Sequence, residues 1–228
     1  MKNNYMSKCW FLLLFGVIST VLSAQAPSTY GAEAAYQDIL KLKSGVLVVR
    51  LEGDQKKLAA LEQIRDNRAP EARAAIQSQI DEVIIERDSF NLSLIRAFDE
   101  NFRFCPVYFI YDHDARDFLG GKRSGIFLNG SGEVDASIAW PEQDFLGLRI
   151  GAAVNGPEGL IMTDPSFRDL PDPFPGFIQR NSIGSFVNWV LAREIYYRKN
   201  AQRMTSKLDK QLTKWYSRAL LSGLKADN

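Results

Sequence analysis

Two short apolar runs are the strongest pattern along the chain. Residues 46–51 read Val-Leu-Val-Val-Arg-Leu and lie between Gly45 and Gly53, and residues 107–111 read Val-Tyr-Phe-Ile-Tyr. Continuous apolar runs of this length, rich in β-branched and aromatic side chains, are typical of buried strands. We therefore expect both segments to lie in the core of one sheet.

The residues between these two runs follow a helical period. Apolar side chains recur at steps of three and four in residues 54–66 and 70–102, and Pro70 suits the first turn of the second helix. A strand, two helices and a second strand form a crossover unit in which the strands are parallel neighbours. The pattern predicts that residues 46–51 and 107–111 pair in parallel.

Shorter strands are expected after this crossover. Residues 129–132 read Asn-Gly-Ser-Gly, which is turn chemistry, so residues 125–128 and 134–140 are predicted to form a β-hairpin. Residues 145–150 and 160–163 are two further apolar strands.

The last part of the chain predicts an extended segment and then a long helix. Residues 164–177 hold four prolines, whereas residues 182–224 hold none and repeat apolar side chains at helical spacing. The fold class that these elements predict is a single α/β domain. It contains a mixed β-sheet with a parallel β-α-α-β crossover, a β-hairpin and a long C-terminal helix.

The first 24 residues have the pattern of a secretory signal peptide. Lys2 and Lys8 precede an uncharged apolar stretch that ends in small residues. A membrane anchor needs about 20 mainly apolar residues, and this run is shorter. We therefore expect an exported protein, periplasmic or secreted, most typical of a bacterial envelope. The chain divides into a signal peptide (1–24), a flexible leader (25–35), an α/β core (36–181) and a basic C-terminal helix packed on the core (182–224).

Composition narrows the chemistry of the exported chain. Cys9 belongs to the signal segment, which leaves Cys105 alone, so an internal disulfide is not expected. Residues 1–24 carry two of the 28 basic residues and none of the 27 acidic ones, so the formal charge after cleavage is −1. Bulk attraction to nucleic acid is therefore not expected, and no later segment is apolar enough to predict a membrane span in the mature chain.

The candidate site is an acidic turn after the second strand. Asp112, His113 and Asp114 follow that strand, and ligands in open α/β sheets bind at the carboxyl ends of strands. Carboxylates and imidazole are suitable ligands for a divalent cation, and Asp164 follows another strand and could join them. The alternative interpretation is a solvated loop in which an aspartate caps a short helix.

Charge is divided unevenly along the chain. Asp99 to Asp172 contains thirteen acidic and six basic residues, net −7, and Phe177 to Asn228 contains ten basic and three acidic residues, net +7. The basic helix could bind an acidic protein or an anionic envelope polymer, or it could hold its bases as a solvated face while it packs on the acidic body.

Two functions follow from these patterns. The first is an exported, non-catalytic envelope or secreted protein that binds a partner and needs no cofactor, because the sequence holds one histidine and no complete catalytic motif. The alternative is a metal-assisted hydrolase that uses the Asp/His turn with a divalent cation. The sequence alone leaves open whether the protein is an enzyme.

Export makes a direct prediction. Cleavage after Ala24 should give a mature chain that begins near Gln25. N-terminal sequencing of the periplasmic or secreted protein measures this. Recovery of a chain that still carries Met1, in the membrane fraction, would show that the apolar stretch is an anchor.

Overall fold

The computed structural model describes residues 30–153, 156–180 and 193–223, which form a mixed α/β domain. The elements in chain order are α1 (Ala32–Ser44), β1 (Val46–Leu51), α2 (Gln55–Asp66), α3 (Pro70–Asn101), β2 (Val107–Tyr111), a 3₁₀ turn (Asp112–Asp114), α4 (Ala115–Leu119), β3 (Phe145–Ala152), β4 (Glu158–Thr163), β5 (Phe177–Gln179) and α5 (Arg193–Leu221).

The sheet has five strands in the order β2-β1-β3-β4-β5. Strand β1 pairs in parallel with β2, with Arg50 opposite Ile110, which confirms the predicted crossover. It also pairs in parallel with β3, where Arg50 lies opposite Arg149. Strands β4 and β5 then continue the sheet in antiparallel fashion. Strand β1, which lies inside the sheet next to the edge strand β2, is therefore parallel to both of its neighbours.

One face of the sheet is covered by helices. Helix α3 closes the crossover, and α5 packs against both α3 and α1. Alternate residues of β1 enter this layer, since Leu47, Val49 and Leu51 are fully buried there. Helix α2 packs on the outer side of α3 and buries none of its own residues. The predicted helical hairpin is thus present, with α2 at its exposed edge.

The opposite face is covered by aromatic rings. Phe118 of α4 lies 5.1 Å from the ring centroids of Trp140 and Phe145, and Phe127 stacks on Trp140 at 5.9 Å. These rings bury Val48 of β1 on the side away from the helices. Both faces of the parallel part of the sheet are covered, as such sheets require.

Glycine at position 147 of β3 allows this aromatic layer to approach the sheet. A Cβ atom at Gly147 would lie 2.6 Å from the Phe167 ring and 2.1 Å from Thr163 Oγ1. The loop after β4 can therefore fold back against the strand. This contact brings the Phe167 ring beside Arg50, near the carboxyl end of β1.

The predicted hairpin of residues 125–140 is much shorter than expected. Only one antiparallel bridge forms, between Leu128 and Val134. The chain then turns because the Asp135 carboxylate accepts hydrogen bonds from the backbone N–H and hydroxyl of Ser137, at 2.8 and 2.6 Å. The regular hairpin of the fold is instead formed by β3 and β4. Strand β5 was not predicted from the sequence.

The leader predicted for residues 25–35 differs from the structure at its end. Helix α1 begins at Ala32, and the small side chain of Ala35 in its first turn is fully buried in the core. The predicted signal peptide, the first residues of the leader and residues 182–192 of the predicted tail helix lie outside the described residues. Among the helices that are described, none is long and apolar enough to cross a membrane.

Candidate functional site

A cleft of about 640 Å³ lies at the carboxyl ends of β1, β2 and β3, and we call it the strand-end cleft. This is the edge at which ligands bind in open α/β sheets. Its lining residues come from the three strand ends and from the start of α2: Arg50, Leu51, Glu52, Asp54, Gln55, Lys56, Lys57, Asp112, His113, Arg149 and Ile150. The predicted turn after β2 therefore forms one wall of a larger site.

Gly53 holds the two walls of the strand-end cleft together. Its backbone N–H donates a 3.0 Å hydrogen bond to Asp112 Oδ1. A Cβ atom here would lie 2.7 Å from that oxygen and 2.6 Å from His113 Nδ1, so only glycine allows this approach. Helix α3 fixes the same loop, because Arg87 donates to the Gly53 carbonyl and Asn91 donates to the Glu52 carbonyl.

The three predicted metal ligands of the turn do not converge. Asp112 Oδ1 lies 3.6 Å from His113 Nδ1, and Asp114 Oδ2 lies 3.6 Å from His113 Nε2. The two ring nitrogens point in opposite directions, so one ion at the imidazole could reach one aspartate but not both. Within the described residues no group of three or more His, Cys, Asp or Glu side chains is arranged to hold a metal ion.

Asp164 lies at the other end of the sheet. Strand β4 is antiparallel to β3, and Thr163 pairs with Gly147, near the start of β3. The Asp164 carboxylate is also engaged within its own loop, where it accepts backbone hydrogen bonds from Ser166 and Arg168 and forms an ion pair with the Arg168 guanidinium at 2.7 Å. Asp164 is therefore held at a different edge of the sheet from Asp112, which follows the carboxyl end of β2.

The alternative capping role of the turn is also not realised as expected. Asp114 occupies the position before α4, but its side chain makes no capping hydrogen bond. The His113 ring instead stacks on Tyr111 with centroids 5.3 Å apart, and the Tyr111 hydroxyl donates to the Gly132 carbonyl. These contacts give the turn a defined position at the rim of the cleft.

Two arginines on the aromatic face of the sheet were missed by the sequence analysis. Arg149 of β3 makes a two-pronged ion pair with Asp169, at 2.7 and 2.6 Å. Arg50 of β1 lies opposite it, with its guanidinium carbon 4.9 Å from the Phe167 ring centroid. A single basic residue within the apolar run of residues 46–51 was the available signal for this site.

A second polar surface lies on α5. Lys207, Lys210, Lys214 and Arg218 are exposed, and we call these four residues the tail face. Arg203, one turn before Lys207 on the same helix, is half-buried and donates a 2.8 Å hydrogen bond to the Gln179 carbonyl. In the part of the chain that the structure describes, no ion pair involves any residue of the tail face.

Cys105 is a half-buried free cysteine between the end of α3 and β2. Burial raises the pKa of its thiol to about 12, so the thiolate is scarce at neutral pH.

Comparison with known proteins assigns no site: no family model, curated protein or solved structure matches the chain.

The contacts of Gly53 predict a stability effect. Gly53→Ala should lower the free energy of unfolding by about 1–2 kcal/mol, since it pushes Asp112 and His113 away and weakens a hydrogen bond to a charged group. Chemical denaturation measures this. Gly130→Ala is the matched control, because a Cβ atom there meets nothing within 4 Å. Equal stability of the two variants would show that the Gly53 contact does not organise the cleft.

Proposed function

We propose that the protein is an exported, non-catalytic envelope protein that binds an anionic polymer through α5. The observation that carries the proposal is the tail face, whose four cationic side chains are exposed and form no ion pair with the described residues. Bases that served mainly to hold the helix on an acidic body would be paired with it.

The other side of α5 accounts for its attachment to the domain. Met204, Leu208 and Leu212 are buried in the main core, together with Ala201 and Ala219. Burial of one Leu or Met side chain contributes about 1.5–3 kcal/mol to the stability of the folded domain. The apolar side therefore holds the helix in place, and the tail face is available to a partner.

The form of the tail face favours an extended polyanion. Its residues recur at steps of three and four, so they form a row about 16 Å long on neighbouring turns. Lysine is a flexible point charge that needs no fixed geometry in its partner. Salt screens such charges beyond about 8–10 Å, so the polymer must lie directly on the helix.

A polar groove beside the row supports a polymer with hydroxyl groups. It has a volume of about 590 Å³ and runs between α5 and the end of α3. Asn101, Gln202 and Ser206 line it together with Arg203, Lys207 and Lys210. Neutral hydrogen-bonding groups next to cations suit a chain that carries both hydroxyl and acidic groups, such as an acidic polysaccharide.

Charge reversal tests this proposal. The triple variant Lys207→Glu, Lys210→Glu, Lys214→Glu should lower the affinity for polygalacturonate at least tenfold. It should leave the melting temperature nearly unchanged, because the three side chains are exposed and form no ion pair with the residues that the structure describes. Binding of the unaltered protein should also weaken as salt is added. Affinity measurements at several salt concentrations, with thermal melts of both proteins, provide the data.

The matched control reverses three exposed bases elsewhere. Arg68→Glu, Arg116→Glu, Lys122→Glu changes the net charge by the same amount and should leave the affinity for polygalacturonate almost intact. Stronger binding to poly-L-glutamate than to polygalacturonate would indicate an acidic protein as the partner. Salt-independent binding that the tail-face variant does not change would overturn the role of the tail face.

A further inference from the structure

The strand-end cleft contains a cation that the protein leaves without a hydrogen-bond partner. The guanidinium of Arg50 has five N–H donors, and none makes a hydrogen bond to any described residue; its Nε atom is also buried. The neighbouring charge of Arg149 is already balanced, because its guanidinium donates hydrogen bonds of 2.6 and 2.7 Å to the Asp169 carboxylate. The charges of Asp112 and Asp169 act on Arg50, but neither carboxylate hydrogen-bonds to it. A half-buried guanidinium without a hydrogen-bond partner is costly, and a carboxylate is its best geometric match.

The cleft also contains a carboxylate in the same condition. Glu52 forms no hydrogen bond or ion pair through its side chain with the residues that the structure describes. Burial, followed by the nearby charge of Asp54, raises the pKa of this carboxyl group, and the charge of Arg180, which is itself paired with Glu158, opposes this shift only in part. A bound cation would relieve both effects, because it would replace the lost hydration and oppose the negative charge of Asp54.

The two unpaired groups are placed to act on one small molecule. Arg50 is the last residue but one of β1, and Glu52 directly follows the strand. Both residues line the strand-end cleft. The ligand therefore needs an anionic and a cationic group close together.

We propose that the strand-end cleft binds a small zwitterion of the α-amino acid class, whose carboxylate contacts Arg50 and whose ammonium contacts Glu52. The cleft is lined by residues of both signs of charge, which suits a zwitterion better than a doubly charged phosphate ester: the bases are Arg50, Lys56, Lys57 and Arg149, and the acids are Glu52, Asp54 and Asp112. The cleft volume of about 640 Å³ accommodates the backbone groups of an amino acid together with its side chain. This site is separate from the tail face and does not depend on polymer binding.

Two variants test the proposal without removing the shape of the site. Arg50→Met keeps the apolar stem beside Phe167 but removes the charge, and Glu52→Gln keeps the shape of the side chain. The probes are the individual L-amino acids, with acetate and methylammonium as the two halves of a zwitterion. Binding is measured by the rise in melting temperature and by calorimetry.

The expected result is that at least one L-amino acid binds more tightly than acetate and methylammonium. Each variant should lower that affinity by about tenfold to a hundredfold, the loss expected for a hydrogen bond to a charged group. Arg116→Ala, on the exposed side of α4, is the control and should bind as the unaltered protein does. Without ligand, both cleft variants should melt at the same temperature as the unaltered protein or higher, because each removes a partly buried charge that has no hydrogen-bond partner among the described residues.

Three results would overturn the proposal. Acetate that binds as tightly as every amino acid, with no effect of Glu52→Gln, would define a simple anion site. A lower melting temperature of both ligand-free variants would show that the two charges are structural. Absence of binding by all of the probes to the unaltered protein would remove the zwitterion assignment, whatever the outcome for the tail face.

Discussion

The structure depends on the burial of one strand, Val46–Leu51, between two parallel neighbours. A parallel strand in the middle of a sheet has both faces covered, so its sequence can be almost wholly apolar. The helices α1, α3 and α5 cover one face, and the aromatic rings around Phe118 cover the other. Each layer is required because β1 would otherwise expose apolar side chains to water.

This arrangement also places the charges that we consider functional. Arg50 is the one charged residue of β1, and it lies where the aromatic layer ends and the strand-end cleft begins. On the other face, α5 uses its apolar side to complete the helix layer, which leaves the tail face to solvent. In both places an apolar contact fixes the backbone beside the polar groups on which the two proposals rest.

Local patterns were sufficient to predict the central elements. The β-branched run at 46–51, Pro70 at the start of α3 and the long helical period defined the crossover, because these signals act within a few residues. The prediction of a regular hairpin at 125–140 failed because one side chain, Asp135, ends the strand pairing after a single bridge. The contacts of Asp164 could not be foreseen either, since they depend on the direction of β4 relative to β3, which the local sequence does not encode.

Hydrogen exchange tests the central role of β1 most directly. The amides of residues 47–50 lie within two parallel ladders and under both layers, so they should exchange only when the whole domain unfolds. The amides of α2, which buries none of its residues, should exchange much faster through local opening. Exchange of the β1 amides at the rate of α2 would contradict the account, because it would show that the strand opens while the rest of the domain stays folded.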